Sequence, residues 1–184
     1  MNWLEVDKQN IWHPFSPLGG EAPLHAEKGR GIYIKTSDGR WIIDAISSWW
    51  VNIHGHANKR ISKAIAKQSR KLEQVIFAGF THEPAIRLSQ LLMKLLPDNQ
   101  SKLFFSDNGS TSVEVALKLA IQYWKNEGSK RYKIIAIDGA YHGDTFGSMS
   151  VGERGLFTLP FNDYLFEVDF VPFPTGNGKE SIEA

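Results

Sequence analysis

An α/β fold is predicted, with a hairpin-bearing N-terminal segment ahead of part of a mainly parallel sheet. Three observations predict it. Residues 31 to 46, "GIYIKTSDGRWIIDAI", place two runs rich in β-branched and aromatic residues around Ser37-Asp38-Gly39, a strong hairpin turn. Residues 111 to 126 carry Val113, Ala116, Leu117, Ala120, Ile121 and Trp124 at helical spacing. The runs "KLFF" (102 to 105) and "YKIIAID" (132 to 138) flank that helix, and the second is apolar enough to be buried on both faces. Strand, helix and buried strand over that distance make a βαβ unit, and such runs favour parallel sheets.

The other elements follow in order. After the hairpin, "SSWWVNIHGHA" reads as an irregular aromatic loop. Helical periodicity begins near Lys59, with Ile61, Ala64, Ile65, Leu72 and Val75 on one face and Lys and Arg opposite. A second helix is expected from Glu83 to Leu96, with Thr81 as N-cap, Pro84 in its first turn and Pro97 closing it. "FEVDFVPF" at 166 to 173 reads as a further strand, and the polar, Gly-rich tail "FPTGNGKESIEA" closes with neither helix nor strand.

Composition narrows the function classes. The chain has 184 residues, 42% of them hydrophobic, enough for one core of ordinary size. Twenty-one basic and 20 acidic side chains leave a net charge of +1, which asks for neither nucleic acid nor an anionic membrane as partner. Zero cysteines exclude disulfides, thiolate zinc sites and a cysteine nucleophile. "MNWLEVDKQN" lacks the basic and apolar regions of a secretory signal, and no apolar run is long enough to span a bilayer. A cytoplasmic protein is the expectation.

The stretch "FFSDNGSTSVEVALK" (104 to 118) joins the apolar run to the helix through small and polar residues. A helix beginning near Ser110 or Thr111 leaves its first N–H groups without partners at the positive end of its dipole. Gly109 lets the backbone approach a ligand closely, and Ser110, Thr111 and Ser112 add hydroxyls. These features suit an anion at the carboxyl end of a parallel strand. They also suit a plain cap, with Thr111 as N-cap and Glu114 completing a capping box. The two readings are compatible, because a cap and a phosphate can share one helix end.

"IDGAYHGDTFGSMSV" (137 to 151) also follows a buried strand, so it is expected at the same sheet edge. Tyr141 beside a phosphate site suggests a planar cofactor stacked on its ring, and the plain alternative is a half-buried loop tyrosine. His54, His56, His82 and His142 are read as solvated or hydrogen-bonded, with no metal site. "TGNGKE" fails as a phosphate loop, since Phe173 stands where a glycine is needed and Glu180 where Ser or Thr is needed. Trp49 and Trp50 wall a pocket or serve as packing.

These stretches together carry a family resemblance. "WHPF", "SDGRWIIDAISSWWVNIHGHA", "FAGFTHEPAIRLSQLL", "SDNGSTSVEVALKLAIQYW" and "GAYHGDTFGSMSV" occur in the order seen in adenosylmethionine-8-amino-7-oxononanoate aminotransferases. The chain resembles these class III, fold type I enzymes from about Trp12 to Val151, and "SSWW", "IHGH" and "YHGDTFG" are its most specific stretches. The resemblance implies the pyridoxal phosphate (PLP)-dependent transferase fold type I. It divides the chain into 1–48, part of a small domain, and 49–184, an incomplete PLP-binding domain. It implies ping-pong transamination of 8-amino-7-oxononanoate to 7,8-diaminononanoate in biotin biosynthesis, with PLP as cofactor and S-adenosylmethionine as amino donor.

The resemblance also implies roles. Gly109 and Ser110 match the turn that binds the PLP phosphate. Tyr141 matches the aromatic that packs on the pyridine ring and approaches substrate, and Trp49 matches a tryptophan of the substrate pocket. Phe15 stands where adenosylmethionine-using enzymes usually carry tyrosine, which leaves lysine open as an alternative donor. The Schiff-base lysine is expected beyond residue 184, with Lys118, Lys125, Lys130 and Lys133 solvated. No catalytic residue is therefore assigned within this chain, and alone it is expected to be inactive and poorly soluble. A homodimer is the implied state. A noncatalytic phosphate-ligand binding module is the competing reading.

Overall fold

A computed structural model describes residues 2–174, so the "TGNGKE" stretch and the rest of the tail from residue 175 lie outside the described residues. The chain divides into two compact units, Met1–Leu88 and Ser89–Ala184.

In the first unit, α1 (Trp3–Asn10) precedes an antiparallel meander of β1 (Ala26–Arg30), β2 (Tyr33–Thr36) and β3 (Trp41–Ile43). The expected hairpin is β2–β3, in register Tyr33 with Ile43, Ile34 with Ile42 and Lys35 with Trp41. Its turn is fixed by Asp38, which accepts from the Thr36 hydroxyl and from Arg40 N and Nε, while Gly39 takes the positive φ of 88°. The Arg40 guanidinium, aided by the Thr36 hydroxyl, holds the Asp38 carboxyl well below the usual carboxylate range. Strand β1 is an addition to the sequence reading: "AEKGR" is polar, and a bulge between Ala26 and Lys28 lets it pair with β2 as an edge strand.

The one-turn element α2 (Ser47–Trp50) follows, then α3 (Lys59–Ser69), which starts where periodicity placed it because the Asn58 side chain accepts from Arg60 N and Ile61 N. Helix α4 (Glu83–Met93) ends before the expected Leu96. The residue before it is His82, not Thr81: the His82 carbonyl accepts from Ile86 N, and its Nδ1 lies 3.4 Å from Ala85 N.

In the second unit, α5 (Gly109–Asn126) is the long helix that the spacing predicts. Residues 102 to 105 form no strand, which corrects the βαβ reading. Apolar composition sets a preference, but a strand also needs a neighbour to complete its ladder. The parallel pair is instead β4 (Ile135–Ile137) with β5 (Asp169–Val171), joined through α6 (Phe146–Ser150) and the 3₁₀ segment Leu159–Tyr164. Nor is β4 buried on both faces: Ile135 is 67% and Ile137 44% exposed, since a two-stranded sheet covers neither face. Among the described residues the only buried hydrophobic side chains are Met149 and Val151, in and just after α6. That is where packing in this chain concentrates.

Candidate functional site

The N-terminus of α5 is capped by Asn108, not by Thr111. Asn108 Oδ1 accepts from Thr111 N at 3.0 Å, and Thr111 Oγ1 accepts from Asn108 N at 3.1 Å, a reciprocal box that leaves Glu114 out. The N-x-x-T spacing of Asn108 and Thr111 was the signal for this cap, because Asn is a preferred N-cap. With Thr111 N and Ser112 N satisfied by Asn108, the N–H groups of Gly109 and Ser110 and the Ser110 hydroxyl donate to no acceptor among the described residues. A Cβ on Gly109 would meet nothing within 4 Å, so the space beside that backbone is open.

These donors face a cleft of ≈ 640 Å³ lined by Asn108, Gly109, Ser110, Val113, Tyr141 and residues 142–145. The structure thus brings Gly109, Ser110 and Tyr141 to one place. Tyr141 is 73% exposed, and its hydroxyl donates to Asp144 Oδ2 at 2.9 Å. That hydrogen bond, with some burial and the nearby negative charge, pushes the phenol above its ordinary value. Gly143, with φ 114°, lies so close to Ser110 that any side chain there would run into the serine. Free N–H groups at a helix N-terminus, an adjacent hydroxyl and an exposed aromatic ring fit a phosphate-bearing planar cofactor. Among the described residues no lysine lines the cleft.

The other predicted residues form a separate cluster in the first unit. The rings of Phe15 and Trp49 meet edge to face, 5.5 Å apart at 73°. Trp49 belongs to a run of four residues with positive φ: Ser47 (49°), Ser48 (49°), Trp49 (59°) and Trp50 (67°). A left-handed turn of residues that all bear side chains is strained. Sequence reasoning missed what holds it. Asp44 Oδ1 accepts from Ser48 N at 2.9 Å, and Oδ2 accepts from the Ser48 hydroxyl at 2.7 Å and lies 2.7 Å from His56 Nε2. The Ser48 backbone and hydroxyl, then His56, draw the Asp44 pKa down to about 2. His56 is in turn bridged to Gly31 by paired backbone hydrogen bonds. The Asp44 and His56 side chains are 7% and 16% exposed. Their separation of twelve residues gives no local sequence signal. Among the described residues no group of three or more acidic or histidine side chains is placed to hold a metal.

Known proteins match this arrangement. A family described as aminotransferase class-III matches residues 16–183. The adenosylmethionine-8-amino-7-oxononanoate aminotransferase of Synechococcus elongatus is 56% identical over 177 residues, 95% of this chain and 42% of that protein. Its counterpart in Staphylococcus aureus is 41% identical over 170 residues, 89% of this chain and 38% of that one. Among solved structures, the adenosylmethionine-8-amino-7-oxononanoate aminotransferase of Methanocaldococcus jannaschii superposes with a TM-score of 0.85 at 37% identity, covering 92% of this chain and 40% of its own. An omega transaminase of Pseudomonas jessenii in complex with PMP does so at 0.85 and 28% identity, covering 95% and 40%. This chain therefore spans about two fifths of the length of the proteins it matches. Its mixed α/β architecture is that of part of a fold type I PLP-dependent transferase, and the chain belongs to the class-III aminotransferase family.

Proposed function

We propose that this chain serves a PLP-dependent transamination converting 8-amino-7-oxononanoate to 7,8-diaminononanoate in biotin synthesis, with S-adenosylmethionine as amino donor. The observation that carries the reading is the α5 helix end: three donors on Gly109 and Ser110, unpaired among the described residues, open onto the same cleft as the exposed Tyr141 ring. The names of the relatives supply the substrate and the donor.

Bound PLP supplies an electron sink that lets an amine's Cα–H bond break. The protein's part in this chain is binding and orientation. Gly109 N–H, Ser110 N–H and the Ser110 hydroxyl would hold the phosphate, where the helix dipole favours negative charge. The Tyr141 ring would pack against the cofactor, with Asp144 fixing the phenol's direction. Phe15 and Trp49 supply an aromatic wall for the apolar carbon chain of the substrate. The family resemblance implies that the lysine bonding PLP is not among these 184 residues, and on that reading the chain alone would be inactive. The protein is proposed to act in the cytoplasm as a homodimer, as the family resemblance implies. Among the described residues no helix is long and apolar enough to cross a membrane.

Phe15 favours a second reading of the donor. Its ring offers no hydroxyl beside Trp49, which fits lysine as donor in place of S-adenosylmethionine. Borohydride reduction of the protein from its native source, followed by intact mass, tests the main reading, and a phosphopyridoxyl adduct is expected. Amino-donor competition with S-adenosylmethionine and lysine then separates the two donors. No adduct would leave a noncatalytic phosphate-ligand binding module.

A further inference from the structure

Helix α6 is only five residues long, and its N-cap Thr145 makes no side-chain cap to its own helix. Two backbone donors of its first turn are satisfied from α5 instead. Glu114 Oε1 accepts from Gly147 N at 2.7 Å, Ser148 N at 3.3 Å and the Thr145 hydroxyl at 2.6 Å. The approach is close enough that a Cβ on Gly147 would collide with the Glu114 carboxylate. A return contact closes the loop, because the Ser148 hydroxyl donates to the Ser110 carbonyl at 3.0 Å. Residues 147 to 152 form the longest buried stretch among the described residues.

The consequence lies one step upstream. Residues 141 to 145 lead directly into α6, so whatever fixes α6 against the first turns of α5 also fixes that loop over Ser110. Gly143 is already in contact with Ser110, and the Tyr141–Asp144 hydrogen bond ties the loop to itself. We propose that Glu114 is a positioning residue for the cofactor: it holds the Tyr141 ring at a set spacing from the phosphate donors of Gly109 and Ser110. This rests on the PLP reading above. A carboxylate accepting several N–H and O–H bonds is a strong anchor, since charge-assisted bonds are about twice as strong as neutral ones.

The test uses the native full-length protein, with titration of PLP and the circular dichroism band of the bound cofactor as readouts. Glu114→Ala is expected to weaken PLP binding about tenfold and to diminish the band per bound cofactor. Glu114→Gln keeps one acceptor oxygen without the charge and is expected to weaken binding about threefold. Should Glu114→Ala fail to fold, Glu114→Gln and Thr145→Val decide, the latter keeping the carboxylate but removing one donor. A wild-type protein that binds no PLP refutes the transaminase reading itself. A wild type that binds, with variants whose affinity and band match it even at lowered thermal midpoint, overturns the positioning role alone.

Discussion

In the first unit, the Trp49 ring is presented by four consecutive residues in left-handed conformation, each costing about 1–2 kcal/mol relative to ordinary backbone. In the second, Ser110 is presented by the first turn of an 18-residue right-handed helix with a complete capping box. The strained turn persists only because other groups over-determine it: three hydrogen bonds to Asp44, and the His56–Gly31 bridge behind them. The helix end needs no such ties, because unpaired donors are an ordinary property of any helix N-terminus. The first region should therefore suffer most when an anchor is removed, and the second most when something is pushed into it.

The largest effect expected is an intrusion at the helix end. Gly143→Ala adds a Cβ at φ 114°, a conformation side-chain-bearing residues rarely adopt, and drives it into Ser110. Strain and overpacking of about 1–3 kcal/mol each predict a loss of PLP affinity of roughly thirtyfold or more, measured by titration of the native protein. An affinity within twofold of wild type would mean that the 141–145 loop moves freely, and the contrast between the two regions would collapse.

Next in size is removal of an anchor. Asp44→Ala frees Ser48 and His56, so the left-handed turn relaxes and Trp49 leaves its place against Phe15. A misplacement of about 1 Å costs up to a hundredfold in rate, so KM for the amino substrates is expected to rise about tenfold with PLP affinity unchanged. Asp44→Asn, which keeps one acceptor oxygen, should lie between. If both parameters moved together, the aromatic cluster would not be a separate substrate element.

The same anchor predicts a pH window. The folded-state pKa of Asp44 is depressed from 3.8 to about 2, so its contribution is complete above pH 3.8 and is lost as pH falls toward 2. Limited acid proteolysis at 47–57 should rise through that window and be already high at pH 5 in Asp44→Ala. Smaller again is Ser110→Ala, which deletes one of three donors and should weaken PLP binding about two- to tenfold, read by the same titration as Gly143→Ala.

Legibility divided along the same line. Elements specified by neighbours in sequence were readable: the Asp38-Gly39 hairpin, the start of α3 behind Asn58, the length of α5, and the Gly109–Ser110 turn. What long-range ties specify was not. The left-handed turn depends on Asp44 and His56, twelve residues apart, and the capping of α6 depends on Glu114, more than thirty residues earlier. The spacing of Glu114 from Thr111 suits a local capping-box partner. Asn108 took that role, and the carboxylate was free to reach another helix. The apolar runs at 102–105 and 132–138 misled for a related reason: composition reports what a strand prefers, while burial needs partners.

The smallest effect concerns the phenol of Tyr141. Its proton is shared with the Asp144 carboxylate, and that hydrogen bond, more than burial or charge alone, keeps the neutral form favoured above the ordinary tyrosine range. The neutral form is the one that can donate, so the bond that aims the ring also protects the state that makes it. Asp144→Asn keeps an acceptor oxygen but removes the charge, and should bring the Tyr141 titration down toward its ordinary value. Tyrosinate absorbance followed with alkaline pH in the native protein, with Tyr141→Phe as the subtraction control, isolates this residue from the other tyrosines. An unchanged titration in Asp144→Asn would show that the loop holds Tyr141 without help from Asp144, leaving the contacts of α6 with α5 to orient the ring.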